Sequence, residues 1–189
     1  MWCCIPGFNT NEHGLCSSRG NRDGVELTYD YIAISFIRSP EEIGEARAFI
    51  SAEVPHSPKL IVKLETAEAV KEHLDEIIDL VDGVMVARGD LALQVDYAEM
   101  GVLQRRIIQK ATAAGKEVMV ATNVLESVRA NRVPNRAEIS DITTSVALGA
   151  SCILLSGETR QGAQPVYTVE VLRRVIEASE RGLHQWERE

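Results

Sequence analysis

From Asp30 onward, short apolar runs alternate with longer stretches of mixed character. The runs are YIAISF at 31–36, KLIVKLE at 59–65, GVMVAR at 83–88, EVMVAT at 117–122 and SCILLS at 151–156. Each is short, rich in aliphatic residues and turns polar at its end, which predicts five strands. The intervening stretches carry helix signals. SPEEIGEARAFIS at 39–51 opens with Ser39 as cap, Pro40 at the first helical position and acids in the first turn. Residues 66–81 read as one amphipathic helix capped by Thr66, and 97–115 as another stopped by Gly115. Two further helices are predicted at 135–150 and 165–183.

Strands that alternate with helices pair in parallel through right-handed crossovers, so the fold class is α/β. The strand interiors are apolar on both faces. Helices therefore cover one side, and a barrel interior or a second helix layer covers the other. Within KLIVKLE, Leu60, Val62 and Leu64 share one face while Ile61, Lys63 and Glu65 share the opposite one. That alternation brings an amine and a carboxylate together, about 7 Å apart along the strand.

Residues 1–28 differ. GFNTNEHGLCSSRGNRDG is rich in Gly, Asn and Ser without helical or strand period, which predicts an irregular or disordered segment. Residues 29–185 then form one domain, and 189 residues suffice for one sizeable core. The formal net charge of −8 argues against nucleic acid as a partner. No apolar stretch approaches membrane-spanning length, and MWCCIPGF lacks the regions of a signal peptide. None of the four cysteines has CxxC or zinc-type spacing. The expected compartment is a reducing one, the cytoplasm or an organelle interior such as a plastid.

The candidate chemistry lies where the runs turn polar. Lys63, Glu65, Gly89, Asp90 and Thr122 each end a strand, and in parallel α/β folds catalytic groups gather at the carboxyl ends of strands. Taken singly, Lys63 with Glu65 reads equally as a surface ion pair, and ARGD at 87–90 as a turn with a helix cap. Together, two carboxylates on adjacent strand ends match how Mg²⁺ is held by one or two carboxylates plus substrate. Gly89 lets backbone N–H groups approach an anion, and DLALQV begins a short helix whose N-terminus favours negative charge.

KLIVKLET, DGVMVARGDLAL, GKEVMVATNVLESV, NRAEISD and SCILLSGET occur in order, and together they resemble the second half of the pyruvate kinase catalytic domain. DYIAISFIRS resembles the strand before them, so the likeness runs over roughly 30–180. It implies about five βα units of an eight-stranded barrel, and a glycolytic phosphotransferase moving the phosphoryl group of phosphoenolpyruvate to ADP, giving pyruvate and ATP. By position, Lys63 matches the lysine that stabilises the transferring phosphoryl group. Glu65 and Asp90 match the ligands of the substrate-bound Mg²⁺ or Mn²⁺, and Gly89 with Asp90 match the loop that holds the substrate carboxylate. Thr122 matches the threonine near the enolate carbon, and Ser156 a group in the water network that protonates the enolate. Asn123 and Asn135 stand where many relatives carry Gln and Thr, both polar replacements. Arg136, Glu138 and Asp141 are expected to brace helix and loop.

The resemblance begins at the fourth barrel strand. The family's first three strands, lid domain and carboxyl-terminal regulatory domain have no counterpart in the sequence. The family's K⁺ ligands and the groups that meet nucleotide lie on those strands. The expectation is therefore a pyruvate kinase relative with impaired transfer, which self-association into a homo-oligomer could complete. Two alternatives stand beside it: a Mg²⁺-dependent lyase or decarboxylase acting on oxaloacetate or pyruvate enolate, and a non-catalytic interaction fragment.

Overall fold

The computed structural model describes residues 2–5, 29–54 and 56–186. Six parallel strands form one sheet among these residues: β1 (Trp2–Ile5), β2 (Tyr31–Ile34), β3 (Lys59–Leu64), β4 (Gly83–Ala87), β5 (Glu117–Ala121) and β6 (Cys152–Leu154). Their order in the sheet is their order in the chain. A doubly wound sheet would reverse direction at a switch point. Sequential order instead sends every crossover the same way, so the helices gather on one face, as in a barrel wall.

Side-chain parity confirms that division. Ile32, Ile34, Leu60, Val62, Leu64, Val84, Val86, Val118 and Val120 pack into the main core with helices α1 (Pro40–Glu53), α3 (Leu74–Leu80) and α5 (Met100–Ala113). Each fully buried aliphatic side chain there stabilises the fold by roughly 1.5–3 kcal/mol. The other parity supplies a separate cluster of Ala33, Ile61, Met85, Met119 and Ala121. This second face is the barrel-interior side. At its amino end the Lys59 ammonium meets the Glu117 carboxylate, which also accepts from the Tyr31 hydroxyl at 3.2 Å.

Four local expectations change. Trp2–Ile5 is a strand, paired in parallel with β2, where the sequence predicts an irregular segment; strand pairing supplied by a distant neighbour leaves little local signal. Residues 6–28 lie outside the described residues. The stretch 66–81 is two helices, α2 (Ala67–Lys71) and α3, because His73 leaves helical geometry at φ −120, ψ 13. Its carbonyl then accepts from Ile77 N–H and starts α3. A short helix, α4 (Arg88–Leu91), begins earlier than DLALQV, placing Gly89 and Asp90 inside it. Ser39 precedes α1 but makes no side-chain cap bond, whereas Thr66 Oγ1 does accept from Ala69 N–H at 3.3 Å.

The remaining elements follow β5. A 3₁₀ turn (Glu126–Arg129), α6 (Arg136–Ala147), α7 (Gly157–Arg160) and α8 (Pro165–Trp186) complete the helical layer. Asn135 and Glu138 form a reciprocal capping box at the start of α6, satisfying N–H groups the helix cannot. No helix among the described residues is long and apolar enough to cross a membrane.

Candidate functional site

Odd-numbered positions of β2 and β3 turn towards the barrel-interior face, and at the carboxyl ends of those strands they are Ser35, Lys63 and Glu65. Glu65 is fully buried. Its Oε2 accepts from Phe36 N–H at 2.7 Å. Its Oε1 lies against the Lys63 ammonium in an ion pair. Lys63 also donates to Ser35 Oγ at 3.0 Å, and its side chain remains 19% exposed beside the buried carboxylate. Lys63 is therefore the partly exposed member of the pair. This is no surface ion pair.

Burial pushes the Glu65 carboxyl above its ordinary range. Lys63 and the Phe36 amide oppose that rise, and the nearby Asp90 charge adds to it. Asp90 is half-buried in α4, immediately beyond β4. One ammonium facing two carboxylates leaves the cluster net negative. A divalent cation would reverse that sign and make the site receptive to an anion.

Asp90 is held in place through its neighbours. The Arg88 guanidinium donates to Ala121 O at 3.2 Å, to Thr122 O at 2.9 and 2.5 Å, and to Asn123 O at 3.0 Å. It also pairs with the Asp141 carboxylate, whose Oδ1 accepts from Gln104 Nε2 at 3.0 Å. Arg88 thus clamps α4 to the end of β5, and Asp141 braces Arg88. Glu138 likewise braces loop and helix, accepting from Ser127 N–H at 2.8 Å and Asn135 N–H at 2.9 Å.

Thr122 and Asn123 have φ 67 and 53, a left-handed backbone that asparagine tolerates and the β-branched threonine seldom adopts. Such strain persists only where surroundings over-determine it, and it concentrates at functional sites. Thr122 Oγ1 accepts from Gly89 N–H at 2.8 Å and donates to Ala121 O at 2.5 Å. The Gly89 amide, read from the sequence as an anion donor, is thus engaged with Thr122. Ser156 sits on the exposed turn after β6 and donates its N–H to Glu158 Oε2 at 2.9 Å.

The structure thus brings Lys63, Glu65, Gly89, Asp90 and Thr122 to the carboxyl ends of consecutive strands, with Ser156 on the next. Sequence reading missed Ser35, although period-two alternation from Tyr31 already puts it on the Lys63 face. It also missed Arg88 and Glu158, whose partners Thr122 and Val124 on the loop after β5 lie 34 residues away. Among the described residues, no three His, Cys, Asp or Glu side chains gather as a metal cluster. Two carboxylates alone suit a cation that completes its shell with ligand and water oxygens.

Known proteins resemble the chain over most of its length. The model of the pyruvate kinase barrel domain matches residues 16–169. Pyruvate kinase of Bacillus licheniformis is 36% identical over 182 residues, covering 95% of this chain and 31% of the relative. That of Dictyostelium discoideum is 40% identical over 157 residues, covering 83% and 31%. That of Leishmania mexicana is 39% identical over 163 residues, covering 86% and 32%. The chain spans about a third of the length of these relatives. Nothing in them favours the lyase or the non-catalytic alternative.

Proposed function

The chain belongs to the pyruvate kinase family, and from that premise we propose that it carries the cation- and enolpyruvate-binding half of the site for phosphoryl transfer from phosphoenolpyruvate to ADP. The observation that carries this reading is the approach of Glu65 to Asp90. A fully buried carboxylate, already raised in pKa by burial, lies close enough to a second carboxylate for that charge to raise it further, with the Lys63 ammonium beside it. Two such carboxylates at adjacent strand ends suit a divalent cation between them. Glu65 and Asp90 are the residues that would hold Mg²⁺ or Mn²⁺.

A cation held there would supply charge neutralisation and polarise substrate oxygens. The chain's own residues do the remainder. Lys63 sits where negative charge on a transferring phosphoryl group or an enolate oxygen would develop, and its ammonium needs no reorientation to meet it. Ser35 restrains the lysine from one side and Glu65 from the other. Phosphoryl transfer asks a protein mainly for such positioning and neutralisation. Thr122 holds a hydroxyl beside Gly89 on the substrate side, and Ser156 offers another on the next loop for the water that exchanges protons with the enolate.

Pyruvate itself provides the test. Purified chain in D₂O with Mg²⁺ should exchange the methyl protons of pyruvate, followed by NMR, faster than Mg²⁺ alone. Exchange no faster than with the free ion contradicts the reading. The same polypeptide should release little pyruvate from phosphoenolpyruvate and ADP. The residues assembled here address the enolpyruvate end of the reaction, and a misplacement of 1 Å in the second substrate already costs about 10²-fold.

A further inference from the structure

Glu158 stands outside every role assigned so far. It lies in α7 and is 1% exposed. Its Oε1 accepts from Val124 N–H at 2.9 Å and from Leu125 N–H at 3.4 Å, while Oε2 accepts from Ser156 N–H at 2.9 Å. One carboxylate therefore ties the loop after β5 to the turn after β6. Burial alone would raise its pKa, but the backbone donors outweigh burial and hold the carboxyl below its ordinary range. Charge-assisted bonds of this kind are roughly twice as strong as neutral ones.

The held segment directly follows Thr122 and Asn123, the two residues in left-handed backbone. Arg88 grips the carbonyls of 121–123 on one side of that kink. Glu158 grips the amides of 124 and 125 on the other. Between these two anchors Thr122 presents its hydroxyl to the Gly89 amide, next to Asp90. A threonine has no intrinsic reason to stay at φ 67, and such a backbone persists where its surroundings over-determine it, as these two anchors do on either side.

We propose that Glu158 is a positioning residue, which fixes the loop 124–125 and thereby holds the Thr122 hydroxyl against the Gly89 amide beside the cation carboxylates. It deepens the reading of Thr122 as part of the substrate site and rests on that reading for its functional meaning. The geometric claim itself can be tested without any ligand.

Amide hydrogen exchange of the full chain, resolved by NMR, compares the wild type with Glu158→Gln. Glutamine keeps one carbonyl oxygen and turns an NH₂ donor to the other side, so it can serve either Val124 with Leu125 or Ser156 but not both. With a neutral oxygen the Val124 and Leu125 amides should exchange faster even where they keep their acceptor. The Gly89 amide should accelerate with them by ~10-fold, about the worth of one hydrogen bond, while the Phe36 amide held by Glu65 stays unchanged. Acceleration at Val124 and Leu125 with Gly89 unchanged would mean that Glu158 only caps its own loop, and overturns the proposal. So does uniform acceleration that includes Phe36, which marks general loss of stability. Should the glutamine variant not fold, Glu158→Asp keeps the charge, shortens the reach by one methylene and is read by the same amides. Wild-type chain that fails to bind Mn²⁺ would count against the proposed function and leave the exchange result on Glu158 standing.

Discussion

The Phe36 amide donates to Glu65 Oε2 at 2.7 Å from a backbone with φ 58, a conformation phenylalanine rarely takes. Ring packing does not explain that turn, because Phe36 is 47% exposed. The bond does. Strain of about 1–3 kcal/mol is offset by fixing one oxygen of a buried carboxylate and leaving the other against Lys63. Left-handed Phe36 after β2 and left-handed Thr122 and Asn123 after β5 thus flank one face of the sheet, where the charged groups collect.

Lys63→Met should separate binding from chemistry. In the proposed function its ammonium meets charge that develops during reaction, and on that reading Mg²⁺-dependent exchange of pyruvate methyl protons should fall by about 10²-fold or more. Pyruvate affinity should change far less. Near-wild-type exchange would reduce Lys63 to the structural partner of Glu65.

Much of this site was legible in the sequence because period-two alternation is a strong constraint. Leu60, Val62 and Leu64 against Ile61, Lys63 and Glu65 divide as the strand pleat demands, and the same parity recurs in Ala33, Met85 and Met119. What was not legible depends on long-range partners. Arg88 reads as part of a turn until β5 carbonyls arrive beside it, 33 to 35 residues away. Glu158 reads as the third letter of SGET until Val124 and Leu125 meet it. The kink at His73 divides a helix whose apolar period runs unbroken through it, and Trp2–Ile5 becomes a strand only by pairing with β2.

Stability should carry the signature of Glu158 in its pH dependence. Its folded pKa lies below the ordinary 4.5, so the unfolded chain binds the proton more readily. The stabilisation is fully present above the unfolded value and is lost as pH falls through the folded one. Urea unfolding of wild type and Glu158→Gln should therefore differ most at neutral pH and converge on acidification below 4.5. A difference independent of pH would show that ionisation of Glu158 contributes nothing.

Gly83→Ala tests the barrel-interior face. An added Cβ would stand 2.7 Å from the Glu117 carbonyl oxygen and 2.7 Å from Ile61 Cδ1. The side chain can move but the neighbouring strand cannot without disturbing the β4–β5 register. The variant should lose about 1–3 kcal/mol in denaturant unfolding, as overpacked cores do. A loss below about 0.5 kcal/mol, the range of neutral surface changes, would mean the strands are less closely apposed.

The central claim is that Glu65 and Asp90 bind one divalent cation together, with Lys63 beside it. Calorimetric titration with Mn²⁺ tests it most directly, in the wild type, Glu65→Gln and Asp90→Asn, each first shown to be folded by circular dichroism. Wild type should bind one ion, with affinity falling as pH drops through the raised pKa of Glu65. Each variant should lose at least about 10-fold, the lower end of what even outer-shell partners of a metal contribute. Unchanged Mn²⁺ affinity in both folded variants would contradict the shared site.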